Sequence, residues 1–426
     1  MNTSTSLASL SLKELRDLAR REGLKGYSRL RKDELVELLQ KQPRSEKAEK
    51  PANGIITSVG YLDITKDGKG FLRGNGKTSS PKDIYVSPSQ IKRFALRPGD
   101  LIVGQVRKPK SGEKYRSLVR VSTVNGEHPD KLLERPRFEQ LTPVFPQRQL
   151  ILETRPYIIG PRLIDLISPI GRGQRGLIIS PPGAGRSTLI KQIANSLADN
   201  YRDIHILVVL VGERPEDITD MSRSVKAEVL AAAYDEPPEQ HIHVADLALK
   251  RAQRMVELGR DVVILMDSLT HLAHAHNKLI PIKRRAYADD VAPEAIHAVR
   301  EWFGAARNLE NSGSLTIIAT CLVETENPLD DFIYNELEPG ANMKLRLDKS
   351  LADRHIYPAI DILHSGTRHE ELLLDRDSLQ KVWKMRRVIE AIRLKDPNVE
   401  PLLAVRERLR RTKNNYEFLN SLARDN

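Results

Sequence analysis

Apolar runs and amphipathic stretches alternate along the C-terminal two thirds of the chain. Runs such as "RGLIIS", "HILVVLVGE", "DVVILMD" and "SLTIIATCLV" have the length and β-branched content of buried strands. Segments with helical periodicity, such as "STLIKQIANSLADN", lie between them. Because strands that alternate with helices favour a parallel sheet, we predict an α/β domain over residues 151–426.

The N-terminal part has a different pattern. Residues 1–43 contain short amphipathic stretches that predict a small helical unit, and the polar, proline-bounded stretch 44–53 predicts a linker. Residues 54–125 contain short β-rich runs separated by turns such as "KDGKG" and "RPGD". This pattern predicts a small β-barrel of the oligonucleotide-binding (OB) or cold-shock type. A proline-rich connector, 126–150, leads into the α/β domain.

Composition narrows the class of protein. The formal net charge of +11 indicates an anionic partner such as nucleic acid, although charge alone would also suit a membrane surface. No apolar run approaches the ~18 residues that a membrane span needs. The N-terminus has no basic segment followed by an apolar core, so we expect no secretory signal and a cytoplasmic location.

Aromatic and basic residues are interleaved in the predicted barrel. In "GKGFLR", Phe71 can stack on a base while Lys69 and Arg73 meet phosphates, and Tyr85 and Tyr115 supply further stacking faces. The alternative is that these aromatic side chains fill the barrel core. The interleaving favours single-stranded nucleic-acid binding for the set.

The loop "ISPPGAGRST", Ile179–Thr188, follows a predicted strand and opens a predicted helix. It resembles the phosphate-loop consensus at Gly185 and Ser187, but Ser180 replaces its first glycine and Arg186 replaces its lysine. Backbone N–H groups of such a loop bind phosphate whatever the side chains are, and the Ser187 hydroxyl can hold Mg²⁺. We therefore predict a nucleotide site here, with ATP and Mg²⁺ as its ligands.

Two carboxylates follow neighbouring predicted strands, at the edge where open parallel sheets bind their ligands. Asp267 fits the carboxylate that completes magnesium binding. Glu213 could orient the attacking water, or it could form a surface salt bridge.

A second glycine-rich stretch, "GRGQRG", matches Gly-x-Gly-x-x-Gly literally. It precedes a strand, whereas a dinucleotide fingerprint follows one and opens a helix, so we disfavour dinucleotide binding. We nevertheless include its residues among the candidates for nucleotide contact: Gly171, Arg172, Gly173, Gln174, Arg175 and Gly176.

The order of these motifs resembles the bacterial transcription termination factor Rho family across nearly the whole chain. The resemblance lies in "GFLR", "DIYVSPSQIKRF", "SPIGRGQRGLI", "GERPED", "DSLT", "FGAARN", "GSLTIIAT" and "PAIDILHSGTRHEELL". It implies a homohexameric ring with a RecA-like P-loop ATPase core that loads on nascent RNA, moves along it and releases transcripts. It also implies contact with RNA polymerase and transcription elongation factors.

The resemblance assigns roles to particular residues. Glu213 matches the water-activating glutamate, Arg368 the arginine finger supplied to a neighbouring subunit, and Arg186 takes the place of the catalytic lysine. Nucleotide contacts are implied for Gly183, Ala184, Gly185, Arg186, Ser187, Thr188, Arg214 and the adenine-packing Tyr357, and metal ligation for Ser187 and Asp267. The primary RNA site matches Gly68, Lys69, Gly70, Phe71, Leu72, Arg73, Asp83, Ile84, Tyr85, Glu113, Lys114 and Tyr115.

This chain departs from the family pattern in the phosphate loop, in the channel loops and at two histidines. Arg186 and Gly183 replace lysines of the usual loop. A central-channel RNA loop matches Ala286, Tyr287, Ala288, Asp289 and Asp290, with the two aspartates in place of a Gly-Gly pair, and Pro328 replaces a lysine in a second channel loop. His271 and His274 stand where arginines are usual.

Three interpretations follow. The chain is an active RNA translocase, or a hexameric RNA-binding protein that binds nucleotide with weak or uncoupled hydrolysis, or a rotary-ATPase-like subunit. The last is disfavoured because relatives of that kind lack the stacking barrel.

Overall fold

The computed structural model describes residues 32, 56–65, 67–74, 80, 82–281, 291–395 and 400–424. The predicted helical unit, apart from Lys32, and the predicted linker lie outside the described residues. The channel-loop candidates Ala286–Asp290 lie outside them as well.

The first described domain is a closed five-stranded barrel. Its elements are β1 (Ile56–Ile64), β2 (Gly70–Arg73), β3 (Ile84–Val86), α1 (Pro88–Arg93), β4 (Leu101–Arg107) and β5 (Arg116–Val124). The strands close in the order β1-β2-β3-β5-β4. Alternate residues, among them Leu62, Leu72 and Ile102, fill the interior and are at most 2% exposed. The prediction of a small OB-type barrel is therefore confirmed.

The second domain is a helix-covered sheet. Its elements up to the middle of the sheet are β6 (Pro143–Val144), α2 (Ile159–Ile167), β7 (Arg175–Ser180), α3 (Arg186–Asn200), β8 (His205–Glu213), α4 (Pro215–Ser224), β9 (Glu228–Ala233), α5 (Pro238–Val256), β10 (Val262–Asp267) and α6 (Leu269–Leu279). Then follow α7 (Pro293–Gly304), β11 (Arg307–Leu309), β12 (Ser314–Leu322), α8 (Pro328–Leu337), β13 (Met343–Leu347), α9 (Lys349–Asp353), β14 (Ile360–Thr367), α10 (Arg376–Lys395), α11 (Pro401–Arg410) and α12 (Asn415–Arg424).

The strands of this domain form a nine-stranded sheet whose main order is β14-β13-β7-β12-β10-β8-β9. Every pair from β13 to β9 in that order is parallel, whereas β14 runs antiparallel to β13. Apolar side chains pack on both faces of the sheet in two separate clusters. This arrangement confirms the predicted P-loop ATPase type of core and brings the C-terminal ends of β7, β8 and β10 to one edge.

Polar contacts join the barrel to the sheet domain. The Arg251 guanidinium donates to Asn125 Oδ1 at 2.6 Å, and the Tyr61 hydroxyl donates to the Glu228 carboxylate. Glu228 Oε2 also lies 2.7 Å from His205 Nε2. Burial, with the Glu228 charge as the next cause, raises the pKa of the Tyr61 phenol. The barrel is thus attached at the starts of β8 and β9, at the end of these strands opposite Glu213.

No helix in the described part of the chain combines the length and apolarity that crossing a bilayer would require.

Candidate functional site

The candidate phosphate loop connects β7 to α3. Gly183 and Gly185 both have left-handed backbone, with φ of 76° and 91°, a conformation that glycine adopts without steric cost. Gly185 is the N-cap of α3, so the first amides of that helix face the loop. A loop of this shape at a helix N-terminus presents unpaired N–H groups to an anion.

Arg186 forms ion pairs with both carboxylates that the sequence places in the site. One terminal nitrogen lies 2.5 Å from Glu213 Oε1, and its Nε lies 3.1 Å from Asp267 Oδ1. The Thr320 hydroxyl donates to the same Asp267 oxygen at 2.7 Å. A planar guanidinium has donors in several directions, whereas an ammonium is a compact point charge. Arg186 therefore links the ends of β8 and β10 through a single side chain.

Three charged groups lie together at this edge: Arg186, Glu213 and Asp267. Burial, followed by the nearby Asp267 charge, raises the pKa of Glu213 to about 7, and the Arg186 guanidinium opposes that rise. The single positive charge of Arg186 thus only partly neutralises the two negative charges of Glu213 and Asp267. A buried pair of like charges without the cation would favour protonation of one of them.

The oxygen donors at the loop fit Mg²⁺. Ser187 Oγ lies 3.5 Å from Asp267 Oδ2. Two oxygens bound 2.0–2.1 Å from an octahedral Mg²⁺ lie about 3 Å apart, and this ion commonly takes one or two protein ligands with water and phosphate. The hydroxyl and the free carboxylate oxygen are therefore a suitable donor pair, although Arg186 competes for the same carboxylate.

His271, which the sequence marked only as a departure from the family pattern, belongs to this site. The pairing of β8 with β9 shifts register between Val211 and Glu213, and Gly212 there has a φ of 70°. His271 Nδ1 lies 2.9 Å from the Val211 carbonyl oxygen and 3.8 Å from Glu213 Oε1. Because a carbonyl can only accept, Nδ1 carries the hydrogen, and the imidazole ring holds the bulge that presents Glu213. Burial and the Arg186 charge lower the pKa of His271. Its spacing of four residues from Asp267, on the first turn of α6, was the available signal.

The structure shows what lies next to the other residues that depart from the family pattern: His274, Pro328 and Gly183. His274 Nε2 lies 2.6 Å from Asp330 Oδ1, which connects α6 to α8. Pro328 is the first residue of α8. The position that a Cβ would occupy on Gly183 lies 3.8 Å from Lys349 Nζ. No sequence motif pointed to Lys349, which is distant in sequence but lies beside the loop position where a lysine is absent.

A cavity of about 580 Å³ adjoins the phosphate loop and α3. Tyr357, which is 47% exposed, lies on its wall, and its ring is 3.3 Å from the position of a Cβ on Gly185. Thr188 lines the same cavity. Arg214 directly follows Glu213 and is exposed as the N-cap of α4. Of the predicted nucleotide residues, Ala184, Gly185, Thr188 and Tyr357 therefore line this cavity.

The "GRGQRG" residues are not brought to this space. Arg175 and Gly176 begin β7, while the phosphate loop follows its end, so the strand separates the two by roughly 20 Å. The Arg172 guanidinium pairs with Asp261, and the Gln174 amide donates to Asn342 Oδ1 at 2.7 Å. Residues 171–176 therefore lie at the edge of the sheet opposite their own chain's phosphate loop, and a nucleotide contact by these residues stays a prediction.

Arg368 is also at that opposite edge. It follows β14, which runs antiparallel to its neighbour, and its backbone N–H donates to the Asn342 carbonyl at 2.8 Å. The side chain is exposed, and no carboxylate in the described part of the chain forms an ion pair with it. Arg368 therefore cannot reach the phosphate loop of its own chain.

The barrel carries a cluster of aromatic side chains on its outer face. Phe71 and Tyr85 are cross-strand partners, with ring centroids 5.9 Å apart, and Tyr115 lies 5.2 Å from Phe71. The alternate residues Leu72 and Ile84 point into the barrel and are 2% and 7% exposed. The aromatic rings are therefore not barrel core, and Leu72 and Ile84 are not part of the outer face.

Charged groups surround this aromatic face. Lys69 is exposed, Arg73 pairs with Asp63 at 2.8 Å, and Lys114 Nζ lies 5.4 Å from the centre of the Tyr115 ring. Arg107 binds both oxygens of Glu113, at 2.7 and 2.8 Å, and this contact is the main cause that lowers the pKa of Glu113 to about 2. A groove of about 610 Å³ runs along Tyr85, Glu113 and Tyr115.

The remaining predicted barrel residues border the same strands. Gly68 has a φ of 75° in the turn before β2, and Gly70 is packed against Leu62 and Val86. Asp83 is 5% exposed and accepts a hydrogen bond from the Ser80 amide at 3.0 Å.

Comparison with known proteins gives consistent matches for each part of the chain. Three family models match: Rho termination factor, N-terminal domain (residues 6–47); Rho termination factor, RNA-binding domain (58–130); and ATP synthase alpha/beta family, nucleotide-binding domain (160–367). Curated relatives with the name transcription termination factor Rho are similar along almost their whole length. The Bacillus subtilis protein is 44% identical over 98% of this chain and 95% of its own, and the Thermotoga maritima protein 43% over 97% and 95%.

Solved structures support the fold of the second domain. An ATPase of a bacterial type III secretion system matches with a TM-score of 0.55 and 23% identity, over 68% of this chain and 88% of its own. The ATP synthase subunit NeqB of Nanoarcheaum equitans matches with a TM-score of 0.54 and 18% identity, over 68% and 78%. At these identities the likeness concerns the fold alone.

Proposed function

The chain belongs to the transcription termination factor Rho family, and from that premise we propose how its own residues bind RNA and use ATP. The barrel binds nascent single-stranded RNA on the face of Phe71, Tyr85 and Tyr115. The phosphate loop at Arg186 binds ATP, and hydrolysis drives movement along RNA and transcript release. The nascent transcript as ligand implies that the protein acts in the cytoplasm, together with RNA polymerase and elongation factors.

The outward aromatic cluster is the observation that carries this proposal. The Phe71 ring lies within 6 Å of both the Tyr85 and the Tyr115 rings on the barrel surface, with Lys69 and Lys114 exposed beside them. Stacked bases gain about 1–3 kcal/mol each, and basic side chains meet the phosphates between them. An ATPase that does not bind a polynucleotide would have little use for such a surface.

At the phosphate loop, binding and catalysis have different requirements. The amides at the start of α3 and the Arg186 guanidinium bind phosphate oxygens, Arg214 adds a further cation, and Tyr357 packs on the base. Ser187 and Asp267 would hold Mg²⁺, which neutralises phosphate charge. Glu213, presented by the bulge that His271 holds through the Val211 carbonyl, orients the attacking water and accepts its proton.

Arg186 is the reason to expect slow turnover. Its guanidinium is engaged by Glu213 and Asp267, so ATP must compete with two carboxylates for it. A broad planar group also cannot follow the departing phosphate from the compact position of an ammonium. Losing one well-placed transition-state donor typically costs about 10²–10³ in rate.

The position of Arg368 supports assembly into a ring. An arginine at the edge of the sheet opposite the phosphate loop can reach a nucleotide only in another copy of the chain. We therefore propose that the chain forms a homohexamer in which each Arg368 completes a neighbour's site.

A second candidate function is a hexameric RNA-binding protein with weak or uncoupled hydrolysis. The ion pairs of Arg186 favour it, as do Asp289 and Asp290 in the stretch that resembles the family's channel loop, since carboxylates repel phosphates.

RNA-stimulated ATP hydrolysis by the purified full-length protein tests the proposal. We expect slow but measurable hydrolysis that single-stranded RNA accelerates and that Glu213→Gln removes. Hydrolysis that RNA does not change would support the second candidate. Failure to bind RNA in a filter or fluorescence assay would overturn both.

A further inference from the structure

An apolar groove lies between the three C-terminal helices. Apolar side chains of α10, α11 and α12 line it, among them Ile389, Val405, Phe418 and Leu422. None of its lining residues borders the phosphate-loop cavity or the groove of the barrel. Its volume is about 230 Å³, below the ~300–1,000 Å³ of small-molecule sites. The groove therefore fits single side chains of a partner better than a whole small ligand.

Two apolar side chains of α10 stay exposed along this groove. Val388 is 49% exposed and Ile392 is 40% exposed, and both line the groove. Their spacing of four residues places them on one face of the helix. The apolar stripe of a helix normally packs against another element, and a contiguous exposed apolar patch marks an interaction site. The floor of the groove and this stripe together form such a patch.

Basic side chains border the exposed stripe. Lys384 and Lys395 lie on the same face of α10 as Val388 and Ile392, because the four residues are spaced by four, four and three positions. Neither lysine forms an ion pair with any carboxylate among the residues that the structure describes. Glu390 is two residues from Val388 and therefore points to a different side of the helix. The two ends of the stripe thus carry uncompensated positive charge.

The charge of the surrounding segment narrows the choice of occupant. Residues 376–426 contain 13 lysines and arginines against seven aspartates and glutamates, more than half of the formal net charge of +11. The N-terminal segment 1–55 is also basic, with 12 such cations against eight acidic residues. Like charges therefore disfavour both this segment and a second copy of the chain as occupant.

Two other anionic occupants fit the groove less well. Single-stranded RNA binds by stacking on exposed aromatic rings, whereas the aromatic side chain that lines this groove, Phe418, is fully buried. A bilayer takes up a protruding apolar face, whereas the apolar floor here is recessed between helices. An amphipathic helix, by contrast, inserts its apolar side chains into a groove of this kind.

We propose that this groove docks an acidic amphipathic helix of another protein. Apolar side chains of that helix, at spacings of three and four residues, fill the groove over Val388 and Ile392, and its carboxylates face Lys384 and Lys395. The groove shares α11 with the nucleotide cavity, which Arg410 lines. The docked segment therefore contacts a helix that also borders the ATP site.

The test is fluorescence anisotropy with a labelled helical peptide of about 18 residues, which has leucines at helical spacing and glutamates elsewhere. The assembled full-length protein should bind it at least about tenfold more tightly than the same peptide with lysines in place of glutamates. The double variant Val388→Glu, Ile392→Glu should lose about tenfold or more in affinity for the acidic peptide. Lys384→Glu together with Lys395→Glu should reverse the preference between the two peptides.

Leu394→Glu is the matched control, since Leu394 is exposed on α10 but does not line the groove. It should bind the acidic peptide as wild type does. All these variants should keep RNA-stimulated hydrolysis and the wild-type mass in analytical ultracentrifugation, because none of the changed side chains is buried in the core.

Four results would overturn the inference and leave the proposed function standing. The first is equal affinity of the wild type for the two peptides, or none for either. The second is wild-type affinity in the Val388→Glu, Ile392→Glu variant. A loss of assembly mass in that variant would mean that another copy of the chain covers the groove. Binding to phosphatidylserine vesicles in place of the peptide, or weaker RNA binding in the Lys384→Glu, Lys395→Glu variant, would assign the surface to a membrane or to RNA.

Discussion

The barrel face and the nucleotide site differ in how they are built. The barrel face comes from strands that are neighbours in sequence and in space, so Phe71 and Tyr85 meet as a direct consequence of strand register. The nucleotide site collects Arg186, Glu213 and Asp267 from the ends of three strands, and these side chains are linked by short ion pairs. The barrel face is complete in one chain. Arg368, by contrast, lies at the end of the strands opposite its own phosphate loop. A substitution at one residue of the nucleotide site therefore changes the ion pairs of the other two.

The electrostatics of the two regions also differ. The Arg107–Glu113 pair of the barrel is exposed on both sides, and surface pairs contribute little. Arg186 and its two carboxylates are largely buried, where removing one partner leaves an uncompensated charge. The effects of substitutions at Arg186, Glu213 and Asp267 should therefore not be additive.

The largest effect should come from replacing Arg368, which can act only on the nucleotide of another copy of the chain. We expect Arg368→Ala to lower ATP hydrolysis by about 10³–10⁵, because an arginine finger stabilises charge in the transition state. Mixing this variant with wild type before assembly should reduce activity more than dilution does. A loss in strict proportion to the wild-type fraction would show that the site is not shared between subunits.

In the barrel, the double variant Phe71→Ala, Tyr85→Ala should weaken single-stranded RNA binding by roughly 2–6 kcal/mol if both rings stack. The fold should remain, since both side chains lie outside the barrel core. Binding of the wild type should also fall steeply with salt, because phosphate contacts release counterions. Val59→Ala, at an exposed apolar position of β1, is the control and should bind as wild type. Unchanged affinity in the double variant would remove the aromatic face from the RNA site.

A smaller effect, an increase in the rate of hydrolysis, is expected when Arg186 is replaced by the lysine that is usual in this loop. Arg186→Lys should increase RNA-stimulated hydrolysis at least about tenfold, ~1.4 kcal/mol, because an ammonium leaves Glu213 free to orient water. ATP affinity, measured in parallel, should change less. If the wild type already turns over at about 1–100 s⁻¹ and the lysine variant is no faster, Arg186 is an adapted catalytic residue.

The smallest effect is a dependence on pH that only the nucleotide site should have. Burial raises the pKa of Glu213 to about 7, and only the carboxylate form can accept a proton from water. Hydrolysis should therefore be lost as the pH falls through this value and be about half-maximal there, while RNA binding by the barrel stays nearly constant. A rate that is flat from about pH 8 to about pH 6 would mean that Glu213 is not the base.

The sequence alone was sufficient for the fold class and for the candidate residues at the strand ends. Short β-rich runs separated by turns predicted the barrel strands, and apolar runs between amphipathic segments predicted the parallel sheet. The C-terminal ends of parallel strands share an edge whatever their order, so Glu213, Asp267 and the phosphate loop could be grouped in advance. Their functional roles stay predictions, as do the domain boundaries.

Only the tertiary structure decided which side chains meet across that edge and which residues lie on the opposite one. The contact of His271 with Glu213, the double ion pair of Arg186 and the approach of Lys349 to Gly183 all join segments far apart in sequence. They depend on the order of the strands and on a bulge at Gly212. Local patterns of polarity carry the period of a strand and its buried face, but not the identity of its neighbours, because pairing is set by the packing of the whole sheet.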